Sequence, residues 1–247
     1  MPGISDMLHS RRTTKRIGHK GADLISPGNT LESFDAALAA GVDMVEFDVL
    51  PENIDGTGRL VLAHDFDAAT RGTALTLEEG LAHFAQDAWA GVELDVDMKL
   101  AGYEARVVAA LREHGLIDRA LVSTMEESSL PVLRDEAPEL RIGWSVPKLR
   151  RNPLNRRLTR IPALVLAQGA RQILPGRAAR AIRDGHIDAL MCHWALVSGR
   201  LVSAIERAGG ELYVWTVDDA ERIAQLERLG VTGIITNDPR LFAAATA

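Results

Sequence analysis

The 247-residue sequence has little of several features that mark specialised proteins. A single cysteine, Cys192, excludes an intrachain disulfide framework. No apolar run approaches the roughly 18 residues of a membrane span, and the polar N-terminal stretch MPGISDMLHSRRTTKR lacks the apolar core of a secretory signal. Net positive charge is absent too, since the formal charge is −6. We therefore expect a cytoplasmic protein and no nucleic acid partner.

The remaining composition is that of an ordinary globular protein, with 47% hydrophobic and 25% charged residues. Short β-rich runs alternate with amphipathic helical patterns. Strands are predicted at residues 15–19, 43–49, 92–98, 120–123, 141–146, 187–191, 211–215 and 232–235. Helices are predicted at residues 31–40, 104–114, 128–136, 200–208 and 220–229, and most of them are followed by a glycine.

Eight strands separated by helices predict an α/β fold, a (β/α)8 TIM barrel that forms a single domain over residues 1–247. An open doubly wound sheet is the alternative. GHKGAD, after the first strand, is only a weak match to the glycine-rich phosphate loop which that fold uses. The barrel is therefore preferred.

Two connections are longer than a plain helix requires. The first, residues 50–91, contains an extra strand-like run at 59–64 and a helix from about Leu77. The second, residues 147–185, is basic: residues 147–183 carry ten Lys or Arg and no Asp or Glu. This basic insert predicts either peripheral contact with anionic lipid or a solvated helix face whose apolar underside packs on the barrel.

The stretch MVEFDV places two carboxylates within a strand pattern. Alternation sends Val45, Phe47 and Val49 to one face and Glu46 and Asp48 to the other. Because the apolar face suits packing against outer helices, the acidic face is expected to point into the barrel. In GVELDVDMK the charged side chains likewise share one face, which comprises Glu93, Asp95, Asp97 and Lys99.

Barrel sites form where the strands end, which selects particular side chains. Glu46, Asp48 and Asp97 near neighbouring strand ends would make an all-oxygen site for Mg²⁺ or Ca²⁺. A structural ion-pair network with Lys99 is the alternative. Glu93 and Asp95 lie deeper and are expected in an interior polar network. The histidines outside the motifs are expected at the surface, namely His9, His83, His114, His186 and His193.

The motifs GHKGADLISPGNTLESFDAAL, GVDMVEFDV, GRLVLAHD, DVDMK, VWTVDD and GIITNDP follow one another along the chain. In this order they resemble the glycerophosphodiester phosphodiesterase family over essentially the whole sequence. The family pattern runs from His-Arg and Pro-Glu-Asn-Thr through Glu-x-Asp and His-Asp to Trp-Thr-Val-Asn and Thr-Asp-x-Pro. Each motif alone is common, but their order and their placement at successive strand ends are specific.

The resemblance implies a role for individual residues. The acid/base histidines of the family fall on His19 and His64, its metal carboxylates fall on Glu46, Asp48 and Asp97, and its phosphate-binding arginine becomes Lys20. Lys99 is a second candidate for contact with the phosphate, and Trp215 either contacts the glycerol or belongs to the core.

Several positions depart from the family pattern. Lys20 replaces an arginine and Asp97 a glutamate, while Gly28 and Asp218 stand where the family has Glu and Asn. Lysine lacks the bidentate fork of arginine, so a weaker hold on phosphate is expected.

The resemblance implies metal-dependent hydrolysis of glycerophosphodiesters to sn-glycerol 3-phosphate and an alcohol by two acid/base histidines. The sequence leaves open which histidine is the base, and our working hypothesis is His19 as base and His64 as acid. The attacking oxygen is either water or the neighbouring glycerol hydroxyl, and the resemblance favours the hydroxyl. Two alternatives are a lysophospholipase D and a non-catalytic relative that binds glycerol phosphates.

Overall fold

The computed structural model describes residues 13–70, 72–148 and 160–245. Its strands are β1 (Lys15–Gly18), β2 (Met44–Pro51), β3 (Leu60–Val61), β4 (Glu93–Met98), β5 (Ala120–Thr124), β6 (Arg141–Val146), β7 (Ala189–His193), β8 (Glu211–Trp215) and β9 (Gly233–Thr236). The helices are α1 (Leu31–Ala39), α2 (Phe66–Ala69), α3 (Leu77–Phe84), α4 (Glu104–Glu113), α5 (Ser129–Glu136), α6 (Arg160–Arg183), α7 (Gly199–Ala208), α8 (Ala220–Leu229) and α9 (Leu241–Ala245).

Eight of the strands are parallel and close into a barrel. Each of β4 to β9 pairs with its neighbour in the chain, β4 pairs with β2, and β1 lies between β2 and β9 to complete the circle. Strand β3 stands apart, because it pairs antiparallel with the end of β2 through Leu50 and Val61. The predicted (β/α)8 barrel with a strand-containing insert after the second strand is confirmed.

Strand β2 shows why the barrel interior is polar at one end. Val45, Phe47 and Val49 are fully buried in the layer between strands and helices, where Phe47 stacks on Phe84 with 5.2 Å between ring centroids. The opposite face belongs to the barrel interior. Its apolar residues form a separate small cluster, to which β2 contributes Met44. The remaining inward positions of β2 are Glu46 and Asp48, as the alternation predicts.

A network of ion pairs lies at the N-terminal end of the barrel. The Glu93 carboxylate accepts a hydrogen bond from Lys15 Nζ at 2.6 Å and another from the guanidinium of Arg141, which also reaches Glu211. The network joins β1, β4, β6 and β8, and it compensates the cost of placing charged groups inside the barrel. The predicted interior role of Glu93 is therefore confirmed.

Helix boundaries follow local capping chemistry. The Thr30 side chain accepts a hydrogen bond from Ser33 N at the start of α1, and Thr76 and Glu79 form a reciprocal capping box at the start of α3. Helices α7 and α8 end at Gly209 and Gly230, where φ is 80° and 83°. Glycine adopts this left-handed conformation without steric cost, which is why it marks these ends in the sequence.

Two predicted strands differ from the observed ones. The run at 59–64 forms a strand only at Leu60–Val61, because Leu62 N turns to bond Leu75 O and leaves β2. The strand predicted at 187–191 lies at Ala189–His193, since the ladder with β6 begins at Ala189 opposite Gly143. The second shift places His193 at a strand end.

The basic insert is described only in part. Residues 149–159, which include Arg150, Arg151, Arg156 and Arg157, lie outside the described residues, as does the side chain of Arg160. The C-terminal half of α6 buries Leu174, Ala178 and Ile182 in the main core. Around it, Lys148 pairs with Glu126, Arg177 with Glu127 and Arg180 with Asp184. This part of the insert packs on the barrel as the second interpretation predicts. No described helix combines the length and apolarity needed to cross a bilayer.

Candidate active site

A cavity of about 180 Å³ opens at the C-terminal ends of the barrel strands. Six of the eight predicted site residues line it, namely His19, Glu46, His64, Asp97, Lys99 and Trp215. Asp48 is fully buried beside it, and Lys20 follows His19 in the chain. The structure therefore brings the predicted residues together at the end of the barrel where such sites form.

Three carboxylates converge on this cavity from two adjoining strands. Asp48 on β2 is the register partner of Asp97 on β4, and Glu46 precedes Asp48 by one inward position. One carboxylate oxygen from each of the three lies within 4.8 Å of the others. Glu46 and Asp48 are 4% and 0% exposed, so their charges are largely shielded from water.

The Lys99 ammonium lies between two of these acids. It donates a hydrogen bond to Asp97 and contacts the carboxylate of Asp48. Burial alone would raise the pKa of Asp48, but the neighbouring Lys99 lowers it below its usual value. Burial would likewise lower the pKa of Lys99, yet Asp48, Asp97 and Glu46 together raise it well above normal. The predicted ion-pair network with Lys99 is therefore present.

The other acids of the cavity are less well compensated. Burial, reinforced by the charge of Asp48, raises the pKa of Glu46 well above its ordinary value. Burial also raises the pKa of Asp97, and that of Asp95, which lines the cavity floor next to Glu46, is raised well above normal. Carboxyl groups that are costly to ionise are stabilised in their charged form by a cation. Three convergent carboxylate oxygens with this excess of negative charge fit a divalent ion that prefers oxygen ligands.

Polar contacts from the loop after β1 hold the two acids of β2. The buried Asn29 donates from Nδ2 to Asp48 Oδ2 at 2.9 Å and accepts from Asp48 N at 3.1 Å. Lys20 N donates to Glu46 Oε2 at 2.8 Å. Lys20 and Asn29 have φ of 50° and 61°, an uncommon conformation for residues other than glycine. Sequence reasoning gave Asn29 no role, although it lies within the PGNT motif.

The two candidate acid/base histidines have different surroundings. His19 Nδ1 lies 2.5 Å from Asn237 Oδ1, and its Nε2 lies 3.8 Å from Glu46 Oε2. Burial lowers the pKa of His19, which favours the neutral imidazole. His64 follows β3 at the rim of the cavity with 59% of its side chain exposed, and its Nδ1 lies 3.7 Å from Asp65 Oδ2. One imidazole is fixed in the wall and the other faces the solvent.

Comparison with known proteins gives the family of the chain. The sequence model described as "Glycerophosphoryl diester phosphodiesterase family" matches residues 19–74 and 71–241. The chain belongs to this family. Family membership makes it a phosphodiesterase and confirms the resemblance noted in the sequence.

Individual relatives cover nearly the whole chain. It is 27% identical over 255 residues to a glycerophosphodiester phosphodiesterase of Caldanaerobacter subterraneus subsp. tengcongensis, with 90% of this chain and 93% of that one covered. A crystal structure of a glycerophosphodiester phosphodiesterase from Agrobacterium tumefaciens is similar in fold, with a TM-score of 0.66, 22% identity and 94% and 100% of the two chains covered. A phosphodiesterase of Oleispira antarctica, solved with the product sn-glycerol-3-phosphate, gives a TM-score of 0.68 at 20% identity and covers 95% and 97%.

The phosphodiesterase departs from its family pattern at Gly28, which packs against the carboxylate of Asp23. Gly28 N donates to Asp23 Oδ1 at 2.8 Å, and a Cβ at position 28 would come within 2.6 Å of the same oxygen. Asp23 Oδ2 lies 3.5 Å from Lys20 Nζ. A carboxylate supplied by residue 23 therefore accompanies Lys20, and glycine at 28 makes room for it.

The lining of the phosphodiesterase cavity also has apolar members. Trp215 lies there with Met125, Met191 and Ile235, and its buried Nε1 has no hydrogen-bond partner among the described residues. The ring of His193 meets Trp215 edge to face, with 5.3 Å between centroids. His193 was expected at the surface but is only partly exposed, as are His83 and His114. The two-residue shift of β7 brings His193 to the strand end beside Trp215.

Tyr103 supports the site from the far side of Lys99. Its buried hydroxyl accepts from Lys99 N at 3.0 Å and Leu100 N at 3.3 Å, and it donates to Val49 O at 2.7 Å. The hydroxyl thereby ties the loop after β4 to the end of β2. No sequence motif indicated this role, because the contact with Val49 spans 54 residues.

Replacing Tyr103 by phenylalanine should lower the free energy of unfolding by about 1–3 kcal/mol, since buried backbone groups lose their partner. Urea unfolding would measure the loss, and the slope of the free energy of unfolding against urea concentration should stay unchanged. The matched control is Tyr213→Phe, which removes a buried hydroxyl that bonds no backbone group among the described residues. Equal losses in the two variants would contradict the role assigned to Tyr103.

Proposed function

We propose that this chain is a metal-dependent glycerophosphodiester phosphodiesterase, which hydrolyses its substrate to sn-glycerol 3-phosphate and an alcohol. The observation that carries the proposal is the convergence of Glu46, Asp48 and Asp97 within 4.8 Å, beside His19 and at the open end of the barrel. Family membership and the product bound to the Oleispira antarctica relative support the same substrate class.

The three carboxylates would hold the cation, either Mg²⁺ or Ca²⁺. When bound there, a divalent ion supplies a Lewis acid for a phosphoryl oxygen. Lys99 lines the cavity and Lys20 follows His19 in the chain, and the positive charge of both favours an anionic substrate. Trp215 lines the cavity and offers an apolar surface to the rest of the substrate.

The surroundings of the histidines support His19 as the base and His64 as the acid. His19 removes the proton from the attacking hydroxyl while the new P–O bond forms. His64 donates a proton to the departing alkoxide as the old P–O bond breaks. His64 lies at the exposed rim, where an alcohol of any size can leave, whereas His19 is held in the wall. The attacking oxygen that suits a glycerol diester is its own neighbouring hydroxyl, through a cyclic phosphate which water then opens.

The decisive experiment is release of glycerol phosphate from glycerophosphocholine before and after chelation, with Mg²⁺ and Ca²⁺ added back singly. Chelation should lower turnover by about 10²-fold or more, and one of the two ions should restore it. Turnover that is unaffected by thorough chelation would refute metal dependence. Binding of glycerol phosphate without turnover of any diester would indicate a non-catalytic relative instead.

Lysophospholipase D activity is the second candidate. Leu24 and Ile25, on the loop after β1, expose 63% and 39% of their surface, and Leu24 N bonds Asn237 O close to His19. These apolar side chains near the cavity are suited to contact with an acyl chain. The same assay with lysophosphatidylcholine decides between the two, because a lysophospholipase D should turn over this lipid faster than glycerophosphocholine.

A further inference from the structure

Asp218, which follows β8, makes a compact set of contacts with the end of β9. Its Oδ1 accepts from Asn237 N at 2.8 Å and from Thr236 Oγ1 at 3.0 Å, and its Oδ2 accepts from Asn237 Nδ2 at 2.7 Å. An ionised carboxylate accepts hydrogen bonds and donates none. The amide nitrogen of Asn237 must therefore face Asp218, so that the amide oxygen faces the other way.

The amide oxygen of Asn237 faces His19. Its Oδ1 lies 2.5 Å from His19 Nδ1, and His19 N also bonds Thr236 O at 2.8 Å. Because the amide oxygen can only accept, His19 Nδ1 carries the hydrogen of this bond. In a neutral imidazole the other nitrogen, Nε2, then has a free lone pair. That nitrogen faces Glu46 and the cavity.

The sequence shows that the acid and the amide, Asp218 and Asn237, are exchanged relative to the family pattern. The family has Asn in Trp-Thr-Val-Asn and Asp in Thr-Asp-x-Pro, whereas this chain has Asp218 and Asn237 at the two positions. One carboxylate and one amide are kept, but the amide now contacts the imidazole. An amide alone could turn over and present either atom to His19, so its orientation depends on Asp218.

We propose that Asp218 is a positioning residue that acts through Asn237 to keep the proton of His19 on Nδ1 and the Nε2 lone pair directed into the cavity. The inference rests on the proposed function, in which His19 is the base. It adds a reason why Nε2, and not Nδ1, accepts the proton of the attacking hydroxyl.

The test begins with Asp218→Asn. The new amide can donate to Asn237, so the side chain of Asn237 can turn over and offer its nitrogen to His19 Nδ1. We expect kcat to fall about tenfold with KM within twofold, because the tautomer that cannot accept a proton at Nε2 becomes populated. In ¹⁵N spectra of histidine-labelled protein, the His19 Nδ1 signal should move from the protonated towards the unprotonated range.

The reciprocal variant makes the test specific. Asp218→Asn combined with Asn237→Asp restores one carboxylate and one amide, and the new carboxylate at 237 accepts from His19 Nδ1. The double variant should recover kcat to within about threefold of the original chain, although Asn237→Asp alone sets two carboxylates side by side and should lose activity. Glu221→Gln removes the same charge from an exposed position on α8 and should change neither kcat nor the His19 signal.

Two results would overturn the proposal. One is an unchanged His19 Nδ1 signal and kcat in Asp218→Asn, and the other is a double variant that is no better than the worse single variant. The spectra also separate this inference from the proposed function. If the original chain turned over no diester, the proposed function would fail, but the Nδ1 signal would still report whether Asp218 sets the tautomer.

Discussion

Replacing His64 by asparagine is expected to lower kcat/KM for glycerophosphocholine by about 10³-fold, but by less than about tenfold for a glycerol diester of 4-nitrophenol. The choline alkoxide is strongly basic and must receive a proton as it leaves. The nitrophenolate is a stable anion and can leave without one. An acid catalyst is therefore needed for the first substrate and hardly for the second, and comparing kcat/KM for the two substrates measures the difference.

His19→Asn provides the matched comparison. A base is needed whatever the leaving group is, so this variant should lose about 10³-fold on both substrates. His186→Asn changes an exposed histidine outside the cavity and should leave both rates unchanged. If the leaving-group dependence followed His19 instead of His64, the two roles would be reversed. Equal losses for His64→Asn on both substrates would remove its role as acid.

Replacing Glu46 by glutamine should lower turnover by about 10³-fold, because the proposed cation site would lose a carboxylate ligand. Cation binding should also cease to stabilise the protein. At a cation concentration of one hundred times Kd, binding contributes about 2.7 kcal/mol to folding. For a chain of this size that corresponds to a Tm increase of roughly 5–10 °C. Thermal unfolding with and without Mg²⁺ or Ca²⁺ should show this increase for the original chain and little or none for Glu46→Gln.

The same variant should be the more stable protein when a chelator is present. Burial raises the pKa of Glu46 above its unfolded value, so the folded state binds this proton more tightly than the unfolded state does. The stability that this proton contributes is fully present below the pKa of Glu46 in the unfolded chain. It is lost as the pH rises through the pKa of Glu46 in the folded protein. Glutamine has no such loss, so the advantage of Glu46→Gln over the original chain should grow as the pH rises above the unfolded pKa of the glutamate.

Glu93→Gln is the control for both measurements. Glu93 shares a strand face with Asp97, but it is paired with Lys15 and Arg141 at the N-terminal end of the barrel. Its replacement should lower stability at neutral pH and leave the cation-induced rise in Tm intact. A cation response that survives in Glu46→Gln and disappears in Glu93→Gln would place the cation elsewhere in the barrel.

Local patterns explain which parts of the site could be predicted. Alternation within β2 sent Glu46 and Asp48 inward, and the parallel register then brought Asp97 beside Asp48. Both steps depend on the two-residue period of a strand, which is visible in the sequence. Helix ends were equally clear where glycine follows the last turn, as at Gly209 and Gly230.

Contacts between distant segments could not be predicted in this way. Tyr103 contacts Val49, 54 residues away in the sequence, and Asn237 contacts His19, 218 residues away. A local period in the sequence does not indicate contacts between such distant residues. His193 was missed because the apolar run before it extends beyond the paired residues, so the sequence alone placed the strand two residues early. At the level of the sequence, an ion-pair network with Lys99 and a metal site were exclusive alternatives. In the structure the two overlap, because Lys99 pairs with two of the acids that would hold the cation.

The ammonium of Lys99 gives the acidic pocket a built-in counter-ion. Proteins whose ligands repel one another without metal often remain unfolded until the metal binds. Here a tethered lysine already offsets part of the charge of Asp48 and Asp97. In the proposed function, folding and metal loading would therefore be separate events: the chain would complete its barrel first and take up, exchange or lose a cation afterwards.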